Sequence, residues 1–380
     1  MNITEQKKLG FGMMRLPLLD QDDRTSLDIP AIQQMVDEYM AKGFNYFDTA
    51  WMYHNGKSER LVKECLIGKY PRDSYTVTDK LPDYILGPHR SPQQVFEKQL
   101  ERTGLDYFDY YLIHDTNAGS IGNFEKYHCF EFVEELLDKG LVKHIGLSHH
   151  DGPELLEELL IKHPRIEFVQ LQINYLDWDS LGVRARECYE VAVKYGKKVL
   201  VMEPVKGGTL AQVPEEAEQV FKEAAPDMSV PSWAIRFAAS LPEVYMVLSG
   251  MSNLEQLRDN MSYMEDFKPL DEAEQEVVGK ALDIINGKIA IDCTGCNYCT
   301  VDCPMNVQIP RLFSLYNADL QEAESKGWSS HEELYMNLVL AEDIGVASDC
   351  IECGACEDRC PQHLDIRKHL KEVKEHFEKE

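Results

Sequence analysis

Two runs of the form C-x2-C-x2-C-x3-C-P stand in the last quarter of the sequence. They are Cys293, Cys296, Cys299, Cys303 and Pro304, then Cys350, Cys353, Cys356, Cys360 and Pro361. Three thiolates this close together can hold three corners of an iron–sulfur cube, so the fourth ligand must come from elsewhere. Where two such runs occur together, the fourth Cys of each ligates the other cluster. This assigns Cys293, Cys296, Cys299 and Cys360 to one 4Fe–4S cluster, and Cys350, Cys353, Cys356 and Cys303 to the other. Two structural zinc sites are the rival reading. Zinc prefers two separated Cys pairs per tetrahedron and gives the doubled triplet-plus-Pro pattern no reason to recur. A disulfide framework fits worse, because 380 residues can build a core without covalent staples. The opening MNITEQKKLGFG lacks the apolar segment of a secretory leader. Cys65, Cys129 and Cys188 are left over and scattered, so a reducing, cytoplasmic location is expected.

Acidic residues outnumber basic ones by 66 to 39, for a net charge of -27. Such a surface repels phosphate backbones and anionic lipid, so neither nucleic acid nor membrane is an expected partner. No run of about 18 apolar residues is present to span a bilayer. The acidity can steer a basic partner, although solubility alone explains it. Oligomeric state cannot be read from the chain.

Up to about residue 262, short β-rich runs alternate with amphipathic helical stretches. The strand candidates are Phe11–Leu16, Phe44–Asp48, Tyr75–Thr78, Phe108–His114, His144–Ser148, Val169–Asn174, Lys198–Glu203 and Tyr245–Gly250. Asp28-Ile29-Pro30 and Ser91-Pro92 offer a capping side chain followed by an early proline. Eight strand-then-helix units predict an α/β fold of the (β/α)8 TIM-barrel kind, with its active site at the strands' C-terminal ends. A doubly wound open sheet would want a G-x-G-x-x-G turn after its first strand, and none is present. Residues 1–270 therefore read as the barrel and 271–288 as a polar helical connector. Residues 289–380 read as a mostly α-helical two-cluster domain, with helical patterns between and after the cysteine runs.

The phrase GFNYFDTAWMYHNGKSE places Asp48 and Tyr53 at one strand's end, Lys80 follows in YTVTDK, and His114 ends LDYFDYYLIHD. Four such residues at neighbouring strand ends converge on one mouth. A phenol near pKa 10 is a weak acid at neutral pH. An adjacent ammonium lowers that pKa, and a carboxylate holds the ammonium in place. Tyr53 can then protonate a carbonyl oxygen as hydride arrives, with His114 orienting that oxygen. Singly, each residue has a plainer role: a cap, a solvated lysine, a packed ring. Together they are hard to explain that way.

The phrases FDTAWMYHNGKSE, TDK, TGLDYFDYYLIHD, KHIGLSHH, VMEPVKGG and SGMSNLEQLRDN resemble the aldo-keto reductase family over roughly residues 8–262. The added cysteines resemble its subgroup with a C-terminal ferredoxin module. The resemblance implies that Asp48, Tyr53, Lys80 and His114 fill a catalytic tetrad. It also implies a nicotinamide dinucleotide bed. Gly12, Met13 and Met14 belong to that bed, and Ser148, His149 and Gln170 lie near the carboxamide. Met202, Pro204, Val205, Lys206 and Gly207 lie on the pyrophosphate side. Ser249, Gly250, Met251, Ser252, Glu255, Gln256 and Asn260 lie at the adenosine end. This chain departs from the family's pattern at several of these positions. Met202 replaces a stacking tyrosine, His149 replaces an asparagine, and Gly250 and Gln256 stand where cations grip a 2′-phosphate. Losing those cations weakens any preference for NADPH over NADH.

Nicotinamide moves a hydride, whereas a 4Fe–4S cluster moves one electron at a time. The first expectation is an NAD(P)H-linked carbonyl oxidoreductase whose clusters exchange electrons with a carrier such as ferredoxin. A second is a flavin held in the altered mouth, reducing an alkene or quinone with electrons fed through the clusters. A third is a barrel that senses or binds without turnover. Clusters that merely staple the fold are the plainer reading of the cysteine domain. Trp51, Met52, Tyr84, His89 and Trp178 are candidate rim residues, pointing to an aromatic or apolar carbonyl substrate.

Overall fold

The computed structural model describes residues 7–21, 23–287, 290–291, 293, 295–301, 303–321, 329–341, 343–360 and 362–378. Ile289, where the cluster domain was expected to begin, lies outside these, as do Pro361 and residues 322–328 between the cysteine runs.

Eight parallel strands close into a barrel in chain order. They are β1 (Leu9–Gly12), β2 (Tyr46–Asp48), β3 (Thr76–Leu81), β4 (Phe108–Thr116), β5 (Val142–His149), β6 (Phe168–Gln172), β7 (Lys198–Met202) and β8 (Val244–Ser249). Each expected strand is found, with ends shifted by a few residues. The largest shift is in β1. The chain stays largely apolar to Leu16, but β2 ends at Asp48, opposite Gly12, so the sheet offers later residues no partner. The chain then turns across the mouth, with the Met13 N–H donating to the Asp48 carbonyl at 2.9 Å.

Residues of β2, β4, β6, β7 and β8 fill the interior. Tyr46, Tyr110, Leu112, Phe168, Leu200, Tyr245, Met246 and Leu248 form a packed plug, which leaves room for a ligand only above the strands' C-terminal ends. Gly146 makes this packing feasible: a Cβ there would sit 2.5 Å from the Phe168 ring. Outward-facing Phe11, Phe47, Val77 and Ile145 pack under the surrounding helices. Two of those helices begin as their caps foretold, Asp28 accepting from the Ala31 N–H and Ser91 from the Gln94 N–H.

The helix Glu272–Asn286 starts at an Asp271–Glu274 capping box. Its Val278, Ala281 and Ile285 are buried in one cluster with Ala217 and Phe221 of the helix Glu215–Ala224, so it lies on the barrel's outer layer. Beyond it come the helices Ile309–Gln321, Ser330–Leu340 and Ile366–Phe377, with short turns Tyr298–Val301 and Ala355–Arg359 inside the cysteine runs. This region docks on the loops after β4 to β7. The Ser314 hydroxyl lies 3.1 Å from that of Ser180, and Asn337 Nδ2 donates to the His150 carbonyl at 3.0 Å. Among the described residues no helix is long and apolar enough to cross a membrane.

Candidate active site

Asp48 ends β2, Lys80 stands in β3, His114 in β4, and Tyr53 opens the turn Tyr53–Gly56 after β2. That turn places His54 and Asn55 at φ 50° and 53°, which bends the phenol back over the barrel mouth. Lys80 Nζ donates to Asp48 Oδ1 at 2.6 Å, to the Thr49 carbonyl at 3.0 Å and to the Tyr53 hydroxyl at 3.2 Å. All three ammonium protons are thereby used. Lys80 is fully buried. Burial disfavours its charge, but Asp48 and Tyr53 outweigh burial and raise its pKa, so the ammonium persists. The His114 ring meets Tyr53 edge-on with centroids 6.4 Å apart.

The expected net lowering of the Tyr53 pKa does not occur. Burial raises it, and the Lys80 ammonium recovers only part of that. The low-dielectric mouth penalises phenolate more than one already shared cation relieves it. The result is a phenol that stays protonated throughout the neutral range, with a positive charge placed where its negative charge would develop.

Burial, with Lys80 adding to it, drives the His114 pKa down to about 3, so this ring is a neutral hydrogen-bonding group. The unfolded chain binds that proton near pH 6.5 and the barrel refuses it until about pH 3. Across that window the unfolded state holds more protons, so stability falls as pH falls. Burial lowers His149 and His150 in the same sense. Thermal melts are therefore expected to shift down between pH 7 and pH 5, with a shallower slope in His114→Gln. Equal slopes would mean that other groups carry the acid sensitivity.

A cavity of about 560 Å³ opens above the plug, lined by Asp48, Tyr53 and His114. Of the residues expected in a nucleotide bed, Gly12, Met14, Ser148, Gln170, Met202, Pro204, Val205, Gly207, Ser249, Gly250, Met251, Ser252, Gln256 and Asn260 line it. Four others do not. Met13 is buried with its carbonyl accepting from Ser58. His149 turns outward, its Nδ1 3.2 Å from the Thr116 hydroxyl and its Nε2 3.0 Å from the Gly152 carbonyl. Lys206 is buried against Asp177 at 2.8 Å and His331 Nε2 at 2.7 Å. Glu255 is exposed on the helix Leu254–Met264. Strand alternation explains His149: Ser148 faces the mouth, so its neighbour must face the helices.

Of the rim candidates, Met52 and Tyr84 line the cavity. Trp51 lies under the Arg102 guanidinium, Trp178 packs on Tyr189 and Phe237, and His89 is exposed elsewhere. Residues not foreseen also line the cavity, among them Arg15, Asp115, His150 and Glu333, and so does Glu203 of the expected Met202–Gly207 segment. Arg15 lies across Gly250, where a Cβ would meet its side chain at 3.0 Å, and its Nη2 is 3.5 Å from Glu203. A cation thus stands at that end of the cavity, partly neutralised.

Cysteines of both runs meet in two hollows. Cys293, Cys296, Cys299 and Cys360 line one small cavity beside Phe313 and Ile366. Cys303, Cys350, Cys353 and Cys356 line another beside Val307 and Leu370. Four thiols facing one apolar-walled hollow fit an iron–sulfur cluster.

The family model "Aldo/keto reductase family" matches residues 8–282, and "4Fe-4S dicluster domain" matches residues 292–364. The chain belongs to the aldo/keto reductase family. This reductase carries an iron–sulfur region beyond its barrel. It is similar to the "Uncharacterized oxidoreductase YqkF" of Bacillus subtilis, 26% identical over 257 residues, covering 60% of this chain and 80% of that protein. It is also similar to an "Aldo-keto reductase" of Mycolicibacterium vanbaalenii, 28% identical over 233 residues, covering 61% and 77%. In fold it is similar to "aldo-keto reductase AKR11C1 from Bacillus halodurans (holo form)", with TM-score 0.58 and 24% identity over 72% of this chain and 91% of that one. An aldo-keto reductase of Klebsiella pneumoniae "in complex with NADPH" gives TM-score 0.54 at 19% identity, covering 72% and 90%. The protein is an oxidoreductase, and its family and domains support nicotinamide and iron–sulfur cofactors.

Proposed function

We propose that this aldo/keto reductase reduces the carbonyl of a small apolar or aromatic compound, with Tyr53 as proton donor. The observation that carries the reading is Lys80 Nζ, fully buried, 3.2 Å from the Tyr53 hydroxyl and 2.6 Å from Asp48. A substrate oxygen within reach of the phenol and of neutral His114 would take the phenolic proton while Lys80 stabilises the phenolate left behind. Bound NADH or NADPH would supply the hydride. The residues present fit a nicotinamide: Gln170 is 3% exposed and its amide oxygen has no protein partner, as a carboxamide donor would require. Ser148 lines the same wall. Asn260 Nδ2 donates to Ser249 Oγ at 2.8 Å, which fixes the opposite end.

The eight cysteines would hold two 4Fe–4S clusters, passing single electrons to or from a carrier such as ferredoxin in a reducing cytoplasm. A flavin in the same cavity is the second reading, favoured by Met202 at the wall where a stacking ring is expected. With Arg15 turned to Glu203 at 3.5 Å, NADH is expected to bind at least as tightly as NADPH. The test is anaerobic titration of cluster-loaded protein with each nucleotide, followed by carbonyl turnover. Binding and turnover sustain the reading. No binding of either, with flavin released on denaturation, replaces it by the second.

A further inference from the structure

We propose that Asp115, His150 and Glu333 form a binding site for one divalent metal ion, at the seam between the barrel and the cluster-bearing region. The three come from separate elements: Asp115 from the end of β4, His150 from just after β5, and Glu333 from the helix Ser330–Leu340. All three line the 560 Å³ cavity, and their ligand atoms lie within 4.8 Å of one another. His150 Nδ1 is 3.5 Å from Glu333 Oε1 and 4.0 Å from Asp115 Oδ1. Ligands each about 2.1 Å from a common ion stand about 3–3.5 Å apart, so the trio needs only slight closure.

Three details suit a metal. His150 Nε2 is 3.0 Å from the Ser148 hydroxyl. With Nε2 assigned as the donor, the Nδ1 lone pair faces the two carboxyls, and ligating imidazoles characteristically anchor their far nitrogen in this way. Asn117 Nδ2 donates to Asp115 Oδ1 at 2.7 Å, and Asn337 Nδ2 to the His150 carbonyl at 3.0 Å, so two of the ligands are held from outside. One oxygen of the Asp115 carboxyl and one of Glu333 also lie within 4.8 Å of each other, and two carboxylates that close repel unless a cation or a proton lies between them.

A separate observation points to a ligand at this wall. His114, next to Asp115 in sequence, is 8% exposed and lines the same cavity, and its Nδ1 has no protein partner. A donor set of two carboxylates and one imidazole suits manganese, iron(II) or zinc. An ion there ties the helix Ser330–Leu340, which lies between the two cysteine runs, to the catalytic mouth, with coordination positions left open to the cavity.

The experiment is Mn²⁺ titration of cluster-loaded, nucleotide-free protein, counting free Mn²⁺ by electron paramagnetic resonance. Manganese spares thiolates, and uptake is read without turnover, so the result is independent of the carbonyl-reducing reading. One Mn²⁺ per chain is expected. Glu333→Gln should weaken it at least tenfold, while Glu332→Gln, the same charge change at an exposed neighbour, should not. Asp115→Asn is the second variant should Glu333→Gln disturb helix docking, and the same tenfold loss is expected. No uptake by the parent protein overturns the proposal. So does uptake that Glu333→Gln and Asp115→Asn leave unchanged, which marks an adventitious ion on an acidic surface.

Discussion

Replacing Tyr53 by Phe is expected to lower kcat for carbonyl reduction about 10²–10⁴-fold, the usual contribution of a positioned acid. The ring keeps its packing against His114 and only the proton is lost. The measurement is steady-state turnover under nitrogen, with nucleotide binding followed separately by fluorescence. Undiminished turnover would mean the proton comes from another group or from water. Lys80→Met is a poorer probe. It would leave Asp48 charged and buried without its cation, a defect that typically costs about 3–5 kcal/mol of stability. Loss of activity there could not be separated from loss of fold.

Cysteine replacement should produce effects of similar size in the other half of the molecule. Cys360→Ser is expected to remove about half the bound iron and sulfide, because only one hollow contains that thiol. The proposed crossed pairing has a sharper consequence. Combining Cys360→Ser with Cys293→Ser should strip no more iron than either change alone, since both thiols line the same hollow. If each run instead held its own cluster, the double variant would lose all of it. Since ligand binding at such sites is also folding energy, the single variants should melt earlier, with the cysteine-lined helices unfolding ahead of the barrel.

The barrel was legible because its signal is local. Each strand is a short run containing β-branched or aromatic residues, two helix starts carry readable caps at Asp28 and Ser91, and the eight-fold alternation leaves little else for a chain to do. The grouping of Asp48, Tyr53, Lys80 and His114 follows from the same rule, since closing eight parallel strands brings neighbouring C-terminal ends together. The cysteine sets were legible for a chemical reason: spacing within seven residues already limits which ligands can share an ion. Facing was less legible. His149 and His150 look equivalent in KHIGLSHH, yet one bonds to Thr116 and Gly152 while the other lines the cavity.

Other features had no local trace at all. Lys206 reads as a cofactor lysine, but a histidine 125 residues away occupies it. Glu333 reads as one acid among many on a helix surface, and Asn337 reaches His150 across 187 residues. Periodicity, caps and ligand spacing determined the barrel, the convergence of its strand ends and the partition of the thiols. Docking of the C-terminal helices decided that Lys206 is held by His331 rather than left to a ligand, and that Glu333 joins the mouth. Contacts between distant segments depend on shape and burial summed over whole surfaces, and no window of residues encodes that sum.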